Sequence, residues 1–98
     1  MYIIRDTFTA KPGQASKLAK LFKRAFVNET KSRIMTDLVG SYNTVVMEFE
    51  VANLAEYDEM INNYKAGKLD IDPAVADEMK NYTQLWDTGR REIFQVVE

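Results

Sequence analysis

The sequence predicts an α+β fold, in which a four-stranded antiparallel sheet carries helices on one face. One signal is alternation in residues 44–51, which place Val45, Met47, Phe49 and Val51 on one side of a strand. A second is the stretch from Gln14 to Thr30, which repeats apolar side chains at helical spacing. Turn and capping residues divide the remainder into the order β-α-β-β-α-α-β, and 98 residues are enough for one domain, residues 1–98.

The first strand is predicted over residues 2–9, which are rich in β-branched and aromatic side chains. Pro12 and Gly13 end it, because proline cannot donate to a strand ladder and glycine interrupts the run. The helix that follows has an apolar face made of Ala15, Leu18, Ala19, Phe22, Ala25 and Phe26. We expect this face to pack on the sheet, which favours a core role for its two phenylalanines over ligand stacking.

Two strands follow, over about 34–40 and 44–51, with turn residues at 40–43 between them. Asn53 with Glu56 three residues later indicates the start of a helix, and Gly67 marks its end. The face of this helix that we expect to be buried consists of Tyr57, Met60, Ile61 and Tyr64.

Asp72 and Pro73 predict the start of a third helix, as N-cap and first helical position. Its buried stripe is predicted to contain Val75, Met79, Tyr82 and Trp86, with Gly89 closing it and a last strand over 90–97. Without the extra helix, this order is the split β-α-β arrangement of ferredoxin-like folds, whose strands lie in the order 4-1-3-2.

One face of the predicted sheet has no helix to cover it, and the terminal strands are apolar in both phases. The opposed sets are Tyr2, Ile4 and Phe8 against Ile3, and Ile93 and Val97 against Phe94 and Val96. Strands that are apolar on both faces usually have both faces covered. We therefore expect a homodimer in which two sheets pack face to face as an α/β barrel.

Composition excludes several kinds of chemistry. The chain has no cysteine and no histidine, so disulfides, thiolate sites, cysteine nucleophiles and Ser-His-Asp catalysis are ruled out. We expect no metal site and no cofactor. The net charge is −2, which gives no general reason to bind nucleic acid. Glu48 and Glu50 also lie where the strand of an RNA-recognition motif carries aromatic and basic residues, so we expect no nucleic-acid binding. The absence of a long apolar run or leader pattern favours a cytoplasmic protein without membrane contact.

Three groups of residues are candidates for a site. Arg5 lies in the middle of a strand, where it is expected to meet Glu48 or Glu50. The pair could form a site in which the guanidinium binds an anion and the carboxylate accepts a proton. We favour the alternative, a structural salt bridge. An aromatic set formed by Tyr57, Tyr64, Tyr82 and Trp86 either lines a small-molecule pocket or fills the core, which we favour. Arg90 and Arg91 either bind a carboxylate or phosphate or are surface charges, which we favour.

Three stretches resemble a known group of proteins. Residues 11–15, Lys-Pro-Gly-Gln-Ala, resemble the start of dimeric α/β-barrel proteins. Residues 36–60, TDLVGSYNTVVMEFEVANLAEYDEM, resemble the centre of the NIPSNAP-like branch of that superfamily, and residues 89–93, Gly-Arg-Arg-Glu-Ile, resemble its terminal strand. The resemblance implies a homodimer with a cavity between sheet and helices in each subunit.

Relatives in the superfamily include antibiotic-biosynthesis monooxygenases, haem-degrading enzymes and proteins without known activity. The haem-degrading members use an axial histidine, which this chain lacks. The cofactor-free oxygenases rely on asparagine and tryptophan near the pocket. Asn43 and Trp86 are present here, but the sequence does not place them on those motif positions. The sequence thus leaves three functions open: small-molecule binding, cofactor-independent oxygenation with contributions from Arg5, Tyr42, Glu48 and Trp86, or a purely structural dimer.

Overall fold

The structure, a computed structural model, describes residues 1–28, 31–68 and 71–98. Within these residues the chain forms strands β1 (Tyr2–Ala10), β2 (Ser32–Thr36), β3 (Thr44–Val51) and β4 (Trp86–Gln95). The helices in the same ranges are α1 (Ala15–Ala25), α2 (Leu54–Lys65) and α3 (Pro73–Met79), followed by a 3₁₀ turn over Tyr82–Leu85. The strands form one open antiparallel sheet in the order β2-β3-β1-β4. The predicted α+β class and strand order are therefore confirmed.

The register of β1 decides which side chains face the helices. Ile4 lies opposite Phe49 on β3 and Ile93 on β4, so these residues share the helix-covered face. Arg5 lies opposite Glu48 and Glu92, and this set shares the other face, which we call the open face. Both terminal strands carry apolar residues at alternate positions on either side, so sequence periodicity could not predict which side faces the helices.

The core lies between the sheet and α1. Its fully buried side chains are those of Ile4, Leu18, Phe22 and Val45. Phe22 packs against other rings on both sides, with centroids 5.2 Å from Phe8 and 5.8 Å from Tyr82. The prediction that the apolar face of α1 packs on the sheet is thus confirmed, as is the inward alternation of β3.

Capping residues begin and end the helices as the sequence predicts. The Asn53 side chain accepts a hydrogen bond from the Glu56 backbone N–H at 2.9 Å, which satisfies a free donor at the start of α2. Gly67 has φ +69°, the left-handed conformation that commonly ends a helix. Asp72 accepts from the Ala74 N–H at 2.8 Å, and Pro73 is the first residue of α3.

Two predicted elements extended too far toward the C-terminus. α1 ends at Ala25 rather than Thr30, which itself lies outside the described residues. β2 covers 32–36 rather than 34–40, because Asp37 turns the chain there: its carboxylate accepts from the Thr44 N–H at 3.1 Å. Tyr42 then has φ 68°, a left-handed conformation that no strand contains.

The predicted third helix was wrong beyond Met79. The Lys11 N–H donates to the Leu85 carbonyl at 2.9 Å, which draws the chain out of helical geometry and onto the edge of β1. Trp86 therefore begins β4 instead of ending a helix, and Gly89 lies within that strand. A Cβ at Gly89 would lie 3.0 Å from the Phe8 ring, so glycine is needed here for close packing rather than for termination. The last strand accordingly covers 86–95, not 90–97.

α2 is packed more loosely than its sequence suggests. The predicted buried face is only partly covered: Tyr57, Met60 and Ile61 are half-buried, and Tyr64 is exposed. None of the residues of this helix is fully buried. The reason is that a cavity lies between α2 and the sheet, where side chains would otherwise interlock.

Candidate functional site

A buried carboxylate on the helix-covered face of β1 is paired with an arginine on β4. Asp6 lies between the core residues Ile4 and Phe8 on the same face of β1, and it is only 4% exposed. Arg91 reaches it from the neighbouring strand, with Nε donating to Oδ1 at 2.7 Å and Nη2 to Oδ2 at 3.3 Å. A buried charge is costly unless it is paired and hydrogen-bonded, and this two-point contact meets that requirement.

The pair borders an apolar cavity of about 80 Å³ between the sheet, α1, α2 and the 3₁₀ turn. Aromatic residues and methionines make most of its wall, with Asp6 and Arg91 as the charged members. The remaining lining residues are Phe8, Phe22, Phe26, Met47, Phe49, Tyr57, Met60, Ile61, Tyr64, Met79 and Tyr82. Pockets of this kind, apolar with few polar groups, are where small molecules usually bind.

A second, more open space adjoins the cavity at the same ion pair. This cleft has a volume of about 230 Å³ and shares Asp6, Phe8, Tyr82 and Arg91 with the cavity. Its other lining residues are Trp86, Gly89 and Arg90. The Asp6–Arg91 pair therefore forms part of the partition between an inner apolar cavity and an outer cleft.

The charge states at this partition follow from the contacts. The hydrogen bond to Asp6 raises the pKa of Arg91, so the guanidinium stays charged throughout the accessible pH range. Burial raises the pKa of both Tyr57 and Tyr82 above the usual value, so both phenols are neutral at pH 7. The Arg91 guanidinium also lies 5.9 Å from the centre of the Tyr57 ring, a cation–π distance.

A second charged cluster, which we call the open-face triad, lies on the opposite side of the sheet. The Glu48 side chain is 5% exposed and accepts from Arg5 Nε at 2.6 Å and Arg33 Nε at 2.8 Å. Burial alone would raise the pKa of Glu48, but hydrogen bonds from Arg33 and Arg5 outweigh it and hold the pKa below its usual value. Arg5 also lies 5.1 Å from the centre of the Phe94 ring.

The structure places the candidate residues on both faces of the sheet. Arg5 and Glu48 are together in the open-face triad, and Glu50 lies on the same face, 3.9 Å from Lys31. Trp86 and Arg91 line the cleft on the other side of the sheet.

Tyr42 belongs to neither cluster, because it is 82% exposed in the turn before β3. Of the four predicted pocket aromatics, Tyr57, Tyr64 and Tyr82 line the cavity and Trp86 lines the cleft.

Asp6 is the site residue that sequence reasoning missed. The available signal was a charged residue in the apolar phase of a strand, between Ile4 and Phe8. That signal was ambiguous, because the residues pointing to the opposite side of the strand, Ile3 and Arg5, also include one apolar and one charged side chain. Only the pairing of β1 with β4 shows that Arg91 is its partner.

Two kinds of feature are absent from residues 1–28, 31–68 and 71–98. No group of three or more His, Cys, Asp or Glu side chains is placed to hold a metal ion. No helix in those ranges has the length and apolar character needed to cross a membrane.

The fold is the ferredoxin-like fold of NIPSNAP and antibiotic-biosynthesis monooxygenase proteins. A NIPSNAP family protein from Agrobacterium tumefaciens, Atu5224, matches with TM-score 0.74 and 14% identity over 99% of this chain and 93% of that one. A second from the same organism, Atu4242, described as having unknown function, matches with TM-score 0.75 and 15% identity over 96% and 86%.

SnoaB, a cofactor-independent oxygenase from Streptomyces nogalater, matches with TM-score 0.66 and 12% identity over 99% of this chain and 93% of that one. No sequence model of a protein family and no curated protein sequence matches this chain. At these identities the likeness shows the fold, and the resemblance stated from the sequence is confirmed at that level.

Replacing Glu48 tests the open-face triad. We expect Glu48→Gln to lower the free energy of unfolding at pH 7 by about 1–3 kcal/mol, because two arginines lose a shielded carboxylate. The folded-state pKa lies below the unfolded value near 4.5, so this stabilisation is complete above that value and is lost as pH falls through the folded pKa. Urea unfolding at pH 7 and pH 3, at one protein concentration, should show the difference shrinking in acid.

The matched control is Glu50→Gln, on the same strand face, where the carboxylate is 33% exposed and 3.9 Å from its lysine. This variant should change the free energy of unfolding by less than about 0.5 kcal/mol. Equal effects of the two variants would contradict the shielded role of Glu48.

Proposed function

We propose that this protein binds a small molecule with an aromatic or similarly planar ring at the Asp6–Arg91 partition. The observation that carries the proposal is the ion pair between buried Asp6 and half-exposed Arg91, where an aromatic-lined cavity meets an open cleft. The cavity supplies apolar contact for a ring, and the pair supplies the few polar groups that orient a ligand.

A gain in net stability alone explains this ion pair poorly. Burying a carboxylate and its partner requires desolvation, and well-packed apolar residues in their place are often neutral or stabilising. Asp6 is surrounded by side chains such as Phe8 and Met47, which an apolar residue would also pack against. A binding role accounts for both the charge and the space next to it.

The volumes limit the size of the ligand. The inner cavity of about 80 Å³ is smaller than the roughly 150 Å³ cavity that accepts benzene. A ring must therefore extend from the cavity past Arg91 into the cleft of about 230 Å³. Loose packing of α2 favours such entry, because no side chain of that helix is fully buried. We expect a ligand with one ring or two fused rings.

The open face supports a homodimer as the second part of this proposal. It carries apolar side chains that are partly exposed, among them Ile3, Met35 and Phe94, around the open-face triad. Glu48 is already shielded in the single chain, so a second sheet can cover it without stripping a free carboxylate of water. Two copies packed through this face would form the expected barrel and leave both clefts free.

Cofactor-independent oxygenation is the second candidate function, and the likeness to SnoaB favours it. In such a reaction the substrate loses a proton from carbon, and the carbanion reduces O₂ as a C–O bond forms. Loss of water from the resulting hydroperoxide leaves a carbonyl, so one O₂ is consumed for each CH₂ oxidised. The protein would contribute orientation through Arg91 and an apolar, water-poor cavity.

Removing Arg91 tests the binding site. Native mass spectrometry of the purified protein is expected to show a co-purified small molecule, which Arg91→Gln loses and Arg24→Gln keeps. Arg24 is the matched control, because it is an arginine paired with a carboxylate, Glu78, on the surface of α1 and lines neither the cavity nor the cleft. Circular dichroism checks that both variants fold.

Retention of the molecule by Arg91→Gln would contradict the proposed site. An empty wild-type protein that also binds no ring compound in titrations would favour the purely structural dimer.

Charge placed on the open face tests the dimer. We expect wild type at micromolar concentration to have the mass of a dimer by light scattering, and Phe94→Glu to be a monomer, because a buried unpaired carboxylate opposes association. Ile93→Glu is the control, since Ile93 is similarly exposed at 45% but lies on the helix side of the same strand. A monomeric wild type would contradict the dimer.

Oxygen uptake tests the second candidate. Indane-1,3-dione is a small aromatic carbon acid whose anion forms at neutral pH, so oxygenation needs no general base. If the protein is an oxygenase of this kind, an oxygen electrode should record protein-dependent uptake of one O₂ per substrate, reduced at least about tenfold in Arg91→Gln. No uptake above the protein-free rate would contradict oxygenation of this substrate class and leave binding as the function.

A further inference from the structure

We infer that the ligand of this site bears an anionic oxygen acceptor, such as a ring carboxylate, bound by the outer N–H groups of Arg91. This inference rests on the proposed binding function and adds the charge of the ligand to it. The hydrogen-bond donors and acceptors that remain unused at the partition favour such a ligand.

Arg91 has donors to spare. A guanidinium carries five N–H groups in a planar fork. In this structure Nε and one N–H of Nη2 donate to Asp6 and another N–H of the guanidinium donates to the Tyr57 phenol, which leaves two N–H groups. The Arg91 side chain is 52% exposed, and it lines the cleft as well as the cavity. Its outer edge is therefore accessible to a ligand that enters through the cleft.

Asp6 has no comparable capacity for a ligand donor. Both carboxylate oxygens accept from Arg91, and the side chain is only 6% exposed. Asp6 is accordingly a positioning residue, which fixes the orientation of the guanidinium from behind. With Nε and Nη2 held, the free edge of Arg91 is pre-organised to meet a planar, two-oxygen group such as a carboxylate.

The neighbouring polar groups also favour an acceptor on the ligand. The phenols of Tyr57 and Tyr82 are neutral and can donate. The Trp86 indole N–H, which can only donate, is buried without a hydrogen-bond partner among the residues that the structure describes. The surroundings of the partition thus hold more donors than free acceptors.

A cationic ligand fits less well. It would have to displace Arg91 from Asp6 to reach the carboxylate, and until then it would meet a guanidinium of like charge. A neutral ring can occupy the same space, and a carbonyl on it can accept from Arg91, but it lacks the negative charge that strengthens such hydrogen bonds. We therefore expect affinity to be highest for an anionic ligand, lower for its neutral analogue and lowest for a cation.

Ring-matched probes test this ordering. Benzoate, benzamide and benzylamine share one ring and differ in charge, and their dissociation constants can be obtained from amide chemical shifts of the full chain. For wild type we expect benzoate to bind about 10- to 100-fold more tightly than benzamide, with benzylamine weakest. Arg91→Gln should bring benzoate to within about threefold of benzamide, while Arg24→Gln, which changes an arginine outside the cavity and the cleft, should keep the wild-type preference.

The outcomes separate failure of the inference from failure of the proposed function. Equal affinity for all three probes, with shifts at residues that line the cavity, would leave binding standing and overturn the anionic ligand. Preferential binding of benzylamine, or a benzoate preference that survives in Arg91→Gln, would overturn it too. If no probe shifts the residues around the cavity, the proposed binding site itself is contradicted.

Discussion

The register of β1 between β3 and β4 is the constraint on which both charged clusters depend. Arg5 and Asp6 are adjacent, so strand geometry directs them to opposite faces of the sheet. In the observed register each meets an opposite charge, Arg5 at Glu48 on β3 and Asp6 at Arg91 on β4. A slip of one residue would exchange the faces and place Arg5 in the core without its carboxylate. The two ion pairs therefore oppose misregistration while they also create the two polar surfaces.

The helix-covered face combines a tight half and a loose half, and the difference explains where a ligand can bind. Under α1 the side chains of Leu18 and Phe22 are almost wholly buried, so the sheet is held firmly there. Under α2 packing is incomplete, and the cavity beside Asp6 occupies the space that a fully interlocked helix would fill. A rigid half positions the Asp6–Arg91 pair, and a loosely packed half gives access to it.

Local signals predicted the features that are determined locally. Asn53, Gly67 and Asp72 marked helix ends because capping depends on a few adjacent residues, and β3 alternates clearly because only one of its phases meets the core. The end of α3 was mispredicted because a tertiary hydrogen bond, from Lys11 to Leu85, overrides a helical spacing that continues to Trp86. The Asp6–Arg91 pair joins residues 85 positions apart, and no local pattern reports such a contact.

The fold of this protein does not by itself determine its function. A ferredoxin-like sheet with one open face occurs in both NIPSNAP proteins and an oxygenase, so the architecture alone does not choose between binding and catalysis. In the open-face triad, Glu48 is enclosed by two arginines that both donate to it. The Asp6–Arg91 pair differs, because it borders both an aromatic-lined cavity and a cleft to which the half-exposed Arg91 side chain is accessible. We therefore place the proposed ligand at the β4 side of the cavity rather than on the open face.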